Sequence, residues 1–130
     1  MNTIEKRNNI IYIDNSKIDL SIHVYLNKLA HRHFRDINSI NKITKKITGY
    51  ERLNPIYISY GILIVPLSNI DKEDSFCFNY YNVDEIIIDK YETIIIFKDG
   101  MEKRVNVSSY KMNNQIKKAR IIEAYVRLID

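Results

Sequence analysis

Between Pro55 and Val107 the chain is a series of short β-branched and aromatic runs cut apart by turn signals, and this punctuation constrains its folding most. Ile56-Tyr57-Ile58-Ser59 and Ile62-Leu63-Ile64-Val65 flank Tyr60-Gly61, the layout of a tight hairpin stopped by Pro66. Residues 75–83 read as a further strand, with Phe76, Phe78 and Tyr80 on one face and Cys77, Asn79 and Tyr81 on the other. Ile86-Ile87-Ile88 and Ile94-Ile95-Ile96 imply contact on both faces, hence two central strands. Asp99-Gly100 signals a type I′ hairpin turn, since Gly accepts positive φ, and leads into a strand over residues 101–107.

A helix follows, capped by Ser108 or Ser109 and running to about Leu128, with Met112, Ile116, Ala119, Ile122 and Val126 as its apolar stripe. Its other face shows Lys117, Arg120 and Arg127, with Lys111 and Lys118 to one side, so it is expected to pack on the sheet and present cations outward. Upstream, residues 9–13 predict a strand ending in the turn cluster Asp14-Asn15-Ser16. Residues 17–34 carry helical spacing with Ser16 as a cap, although residues 21–26 also alternate like a strand. Residues 36–50 are either a short amphipathic helix or an exposed loop. The expected fold is one α+β domain over residues 1–130 with one core: a mainly antiparallel sheet of about six to seven strands closed by a C-terminal amphipathic helix.

The 130 residues carry 45% hydrophobic and 28% charged side chains with only three Gly and two Pro, which argues against a disordered chain. No apolar run is long enough to span a bilayer, no signal peptide opens the chain, and the single Cys77 suits a reducing compartment, so a cytoplasmic protein is expected. The net charge of +4 conceals blocks of +5 (residues 1–50), −6 (51–102) and +5 (103–130). An electropositive surface is expected where the two basic blocks meet.

Catalytic signatures are thin, and neither an enzyme nor a cofactor is expected. The glycines form no phosphate-binding loop, and no Gly-x-Ser-x-Gly occurs. Cys77 lies in a strand pattern, where it reads as a small buried hydrophobe rather than a nucleophile. His23, His31 and His33 lack further metal ligands at suitable spacing and read as surface or DNA-contacting residues. Asp71, Glu73 and Asp74 read as a solvated turn, and the aromatic side chains of residues 76–81 as packing rather than base-stacking platforms.

From about Tyr50 to Tyr125 a series of signals keeps its order: Asn54-Pro55-Ile56-Tyr57-Ile58, Ile64-Val65-Pro66-Leu67-Ser68, Cys77 heading an aromatic strand to Asn82-Val83, Thr93 to Phe97 with Lys98-Asp99-Gly100, Val107-Ser108, and Asn114-Gln115-Ile116 with Ala119. In that order they resemble the competence transcription factor ComK family. The tryptophan usual after the cysteine is absent, and the N-terminal third aligns poorly. The resemblance implies a cytoplasmic transcriptional regulator that recognises AT-rich boxes in double-stranded DNA through the minor groove, as a homo-oligomer, with RNA polymerase as a further partner. Basic side chains suit the narrow, electronegative minor groove of A-tracts. The expected DNA contacts are Lys42, Lys45, Lys46 and Arg52, followed by Lys103, Arg104, Lys111, Lys117, Lys118, Arg120 and Arg127. The competing expectation is a non-enzymatic pleckstrin-homology-like module for protein or acidic membrane surfaces, since antiparallel strands closed by one helix also describe that architecture.

Overall fold

Two asparagine-containing turns build the start of the fold. Asn8 and Asn9 (φ 50° and 64°), then Asp14 and Asn15 (50° and 68°), are left-handed at both positions of a two-residue loop, the type I′ geometry that suits the twist of paired strands. In the computed structural model, which describes residues 1–129, these turns join β1 (Thr3–Arg7), β2 (Ile10–Ile13) and β3 (Ser16–Ile18) into a meander. Only β2 was expected. In β1 a single apolar side chain, Ile4, is fully buried among polar neighbours, and β3 is too short to show a pattern.

Helix α1 (Ile22–Arg32) starts later than a Ser16 cap would place it. The Ser21 hydroxyl accepts from the Val24 N–H at 3.2 Å, and the strand-like alternation at its start is not used. Residues 36–50 form a helix rather than a loop: α2 (Ile37–Thr48) is capped by Asp36 and closed by Gly49 at φ 75°. The predicted hairpin is present as β4 (Ile56–Ser59) and β5 (Ile62–Pro66). β6 (Ser75–Asn79) ends before residue 83, because the buried Asn79 side chain accepts from the N–H groups of Leu63 and Tyr81 and starts a 3₁₀ turn over Tyr80–Asn82.

β7 (Val83–Ile88), β8 (Thr93–Phe97) and β9 (Glu102–Val105) form a three-stranded sheet in that order. Of the two isoleucine triplets only that in β8 is central. β7 is an edge strand, and Ile87, on the face opposite Ile86 and Ile88, is 44% exposed. The β8–β9 turn also differs from type I′. Gly100 alone is left-handed (φ 91°) in a three-residue loop, with Gly100 N–H donating to Phe97 O at 2.9 Å and Phe97 N–H to Met101 O at 2.8 Å.

The remaining strands form a six-stranded antiparallel sheet ordered β3-β2-β1-β6-β5-β4. The α+β, mainly antiparallel class is as expected, with nine strands in two sheets among the described residues. Instead of one core, two apolar clusters lie on either side of the larger sheet. β5 supplies both, Leu63 and Val65 to one and Ile64 to the other, and β6 does the same with Phe78 and Cys77. The first cluster includes the stripe of α3 (Ser109–Ile129) and the buried face of β8; the second includes Ile22, Leu26 and Ala30 of α1 and Ile40 of α2. No helix among the described residues is long and apolar enough to cross a membrane.

Candidate nucleic-acid interface

Residues 20–50 contain six Lys or Arg, all three histidines and one carboxylate, Asp36. That carboxylate is committed to the α2 N-terminus, where Oδ2 accepts from Ser39 N–H at 3.0 Å and Ser39 Oγ at 3.2 Å. The α1–α2 hairpin is therefore positive along its outer surface. On α2, Ile40 and Thr44 turn inward, while Lys42, Lys45 and Lys46 stay exposed. Lys45 lies 3.9 Å from Glu51, but both groups are well solvated, so the pair neutralises little.

The 50–54 segment ties this hairpin to α3. Thr48 Oγ1 donates to Thr44 O and lies 2.9 Å from Asn54 Oδ1, and Asn54 Nδ2 donates to Tyr50 O. From α3, Gln115 Nε2 donates to Leu53 O at 2.9 Å and Pro66 O at 2.6 Å. Lys118 Nζ donates to Arg52 O at 3.1 Å and sits 4.7 Å from the centre of the Tyr50 ring. Lys118 is thus not presented outward: its side chain is buried, 5% exposed, and desolvation, then the nearby Lys111 charge, pulls its pKa below the usual lysine value. Its place is at the joint between the two basic blocks.

That joint brings Lys45 and Arg52 onto the same cleft as Lys111, a space of about 700 Å³ also reached by Lys72 and by one carboxylate, Glu51. Cations from distant stretches of the sequence meet there. The others are distributed differently. Lys117 and Arg120 line a second cleft of about 710 Å³ between α3 and β7, beside Lys98 but also Asp84 and Glu123. Arg127 lies 3.4 Å from Glu123. Lys103 is held by Glu5 at 2.9 Å, with Asn15 at 3.2 Å, and Arg104 by Glu92 at 2.6 Å. Both β9 cations face carboxylates of the fold itself.

Lys28, Arg32 and Arg35, exposed on α1 and the turn after it, had escaped the sequence reading. The legible signal was the near absence of acids between residues 20 and 50. All three histidines are exposed, and His23 Nε2 lies 2.7 Å from Asp71 Oδ1, a hydrogen bond that holds the Asp71 carboxyl below its usual pKa. Asp74 Oδ1 accepts from Asn8 N–H, so the acidic loop braces the first hairpin. Cys77 is buried and its thiol is pushed up to about 12, leaving no thiolate near neutral pH. Among the described residues no cluster of three or more His, Cys, Asp or Glu is arranged for a metal.

A family model for the ComK protein matches residues 2–128. The chain belongs to the ComK family. No curated protein and no solved structure gives a significant match. ComK-family membership makes the chain a competence-related transcription factor in general terms. The family match also runs through the N-terminal third, where no resemblance was apparent. Several residues that carried the resemblance prove to be structural fasteners in this ComK chain. Asn54 and Gln115 hold the 50–54 segment, and Asn82 Nδ2 donates to Met1 O at 2.8 Å.

Proposed function

We propose that this ComK-family chain regulates transcription in the cytoplasm by binding AT-rich duplex DNA through phosphates and the minor groove. The observation that supports it best is the acid-poor α1–α2 hairpin, joined by the fastened 50–54 segment to Lys111 of α3. Lys42, Lys45, Lys46, Arg52 and Lys111 form the principal contact set, with Lys117, Arg120 and Arg127 flanking it. Lys103 and Lys118 serve the fold, since their cations are largely covered as well as partnered, and Arg104, exposed but 2.6 Å from Glu92, is the weakest of the flanking contacts. Neutralised phosphates supply affinity that falls with salt, and the narrow minor groove of A-tracts concentrates negative potential where Lys and Arg enter. In this reading, as the family resemblance implies, the chain acts on DNA as a homo-oligomer, with RNA polymerase as a further partner.

Titration of an AT-rich and a GC-rich duplex over a range of salt tests the reading. With about five phosphate contacts, the log–log slope of affinity against salt is expected near −4 to −5, with tighter binding to the AT-rich duplex. Equal affinity for both duplexes, or co-sedimentation with anionic vesicles and no binding to DNA, overturns it.

A further inference from the structure

The tip of the α1–α2 hairpin carries an aromatic side chain that the fold does not use. Phe34 is 99% exposed. It occupies the left-handed position just after α1 (φ 58°), within a pair of hydrogen bonds that closes the helix: Phe34 N–H donates to His31 O at 3.0 Å and Arg35 N–H to Ala30 O at 3.0 Å. This position of a helix terminus is one that glycine fills without strain, because a Cβ is disfavoured there. Phe34 therefore carries two local penalties, backbone strain and a phenyl ring in water, and no packing offsets either.

What surrounds the ring narrows its use. His31, Arg32, His33 and Arg35 are all exposed, and the Arg35 guanidinium lies 5.4 Å from the Tyr57 ring centre on the body of the protein. The one nearby carboxylate, Asp36, is bonded to Ser39. Along α2, twelve residues or about 18 Å of helix, Lys42 and Lys46 continue the positive surface away from the tip. A single apolar side chain fixed in a helix-closing turn and flanked in sequence by the exposed Arg32 and Arg35 is complementary to a duplex groove, where phosphates flank a stack of bases. A lipid surface rewards a broad apolar face instead, and the neighbours of Phe34 in the turn are polar.

We infer that Phe34 is a wedge that enters between two base pairs of the bound duplex, partly unstacking and kinking it while the flanking cations grip the phosphates. This rests on the duplex-binding reading and adds a residue and a deformation to it.

The test uses the full chain with an AT-rich duplex carrying 2-aminopurine at its central step and a dye pair at its ends. Wild-type protein is expected to raise the 2-aminopurine fluorescence and shorten the end-to-end distance. Phe34→Gly, which removes both ring and strain, is expected to melt at or above the wild-type temperature yet bind about tenfold more weakly, with an unchanged salt slope and no fluorescence rise. Phe34→Leu restores part of the signal. Equal affinity and equal fluorescence for Phe34→Gly overturn the wedge, as does a variant that loses only its association with phosphatidylglycerol vesicles. A wild-type protein that binds the duplex without unstacking it overturns the wedge alone; one that binds no duplex overturns the regulator reading as well.

Discussion

Cys77 pairs with Ile4 across the β1–β6 ladder and Pro66 across β5–β6, and its burial makes the thiol a reporter of folding. In the unfolded chain a thiol ionises near 9, whereas burial holds the folded thiol's proton up to about 12. The folded state then binds more protons, so stability falls as pH rises from about 9, by about 1.4 kcal/mol per pH unit from this group. Cys77→Val is expected to flatten the loss between about pH 9 and pH 10, measured as urea midpoints. Tyr81, also pushed to about 12 by burial, adds a slope of the same sign above about pH 10. That Cys77 is buried was legible from its strand pattern. That Lys118 is buried was not: Lys111 and Lys118 lie on one side of α3, and only the position of the 50–54 segment decides which of them is covered.

At the level of elements, local chemistry was legible wherever it was complete in sequence. The α3 stripe, the Ser108 cap and the β4–β5 hairpin all appear as expected, with Ser108 Oγ accepting from Lys111 N–H at 3.2 Å. The Asn8-Asn9 turn was missed because asparagine at both central positions does the work usually signalled by glycine, and β7 was misplaced because an apolar triplet does not reveal which side of a strand lacks a neighbour. For the candidate interface, the basic character of α2 was legible, but the pairing of Lys103 and Arg104 was not, since Glu5 and Glu92 reach them through tertiary contacts and the β8–β9 pairing. The elements therefore separate in a binding experiment. Replacing Lys42, Lys45 and Lys46 together by Ala is expected to reduce the salt slope on AT-rich duplex by about 2 to 3 with little change in melting temperature. Replacing Lys103 and Arg104 by Ala is expected to leave the slope unchanged within about one, and an equal loss in both variants removes the distinction.

Across the whole molecule, alternation along β5 and β6 couples the two apolar clusters, because neighbouring residues of one strand serve opposite faces of the larger sheet. Ile64→Ala, at a fully buried position, is expected to cost about 3 kcal/mol and to leave the unfolding transitions by circular dichroism and tyrosine fluorescence coincident. Separate transitions overturn the coupling. The fastening of residues 52 and 53 to α3 by Gln115 and Lys118 has a consequence for how a target is chosen. It sets the spacing between Arg52 and the α3 cations as a rigid gauge, with no slack to stretch toward an ill-fitting site. If the chain binds duplex DNA as proposed, accommodation falls to the nucleic acid, and sites that include a step that yields cheaply, such as TA, are expected to be favoured even at positions no side chain touches.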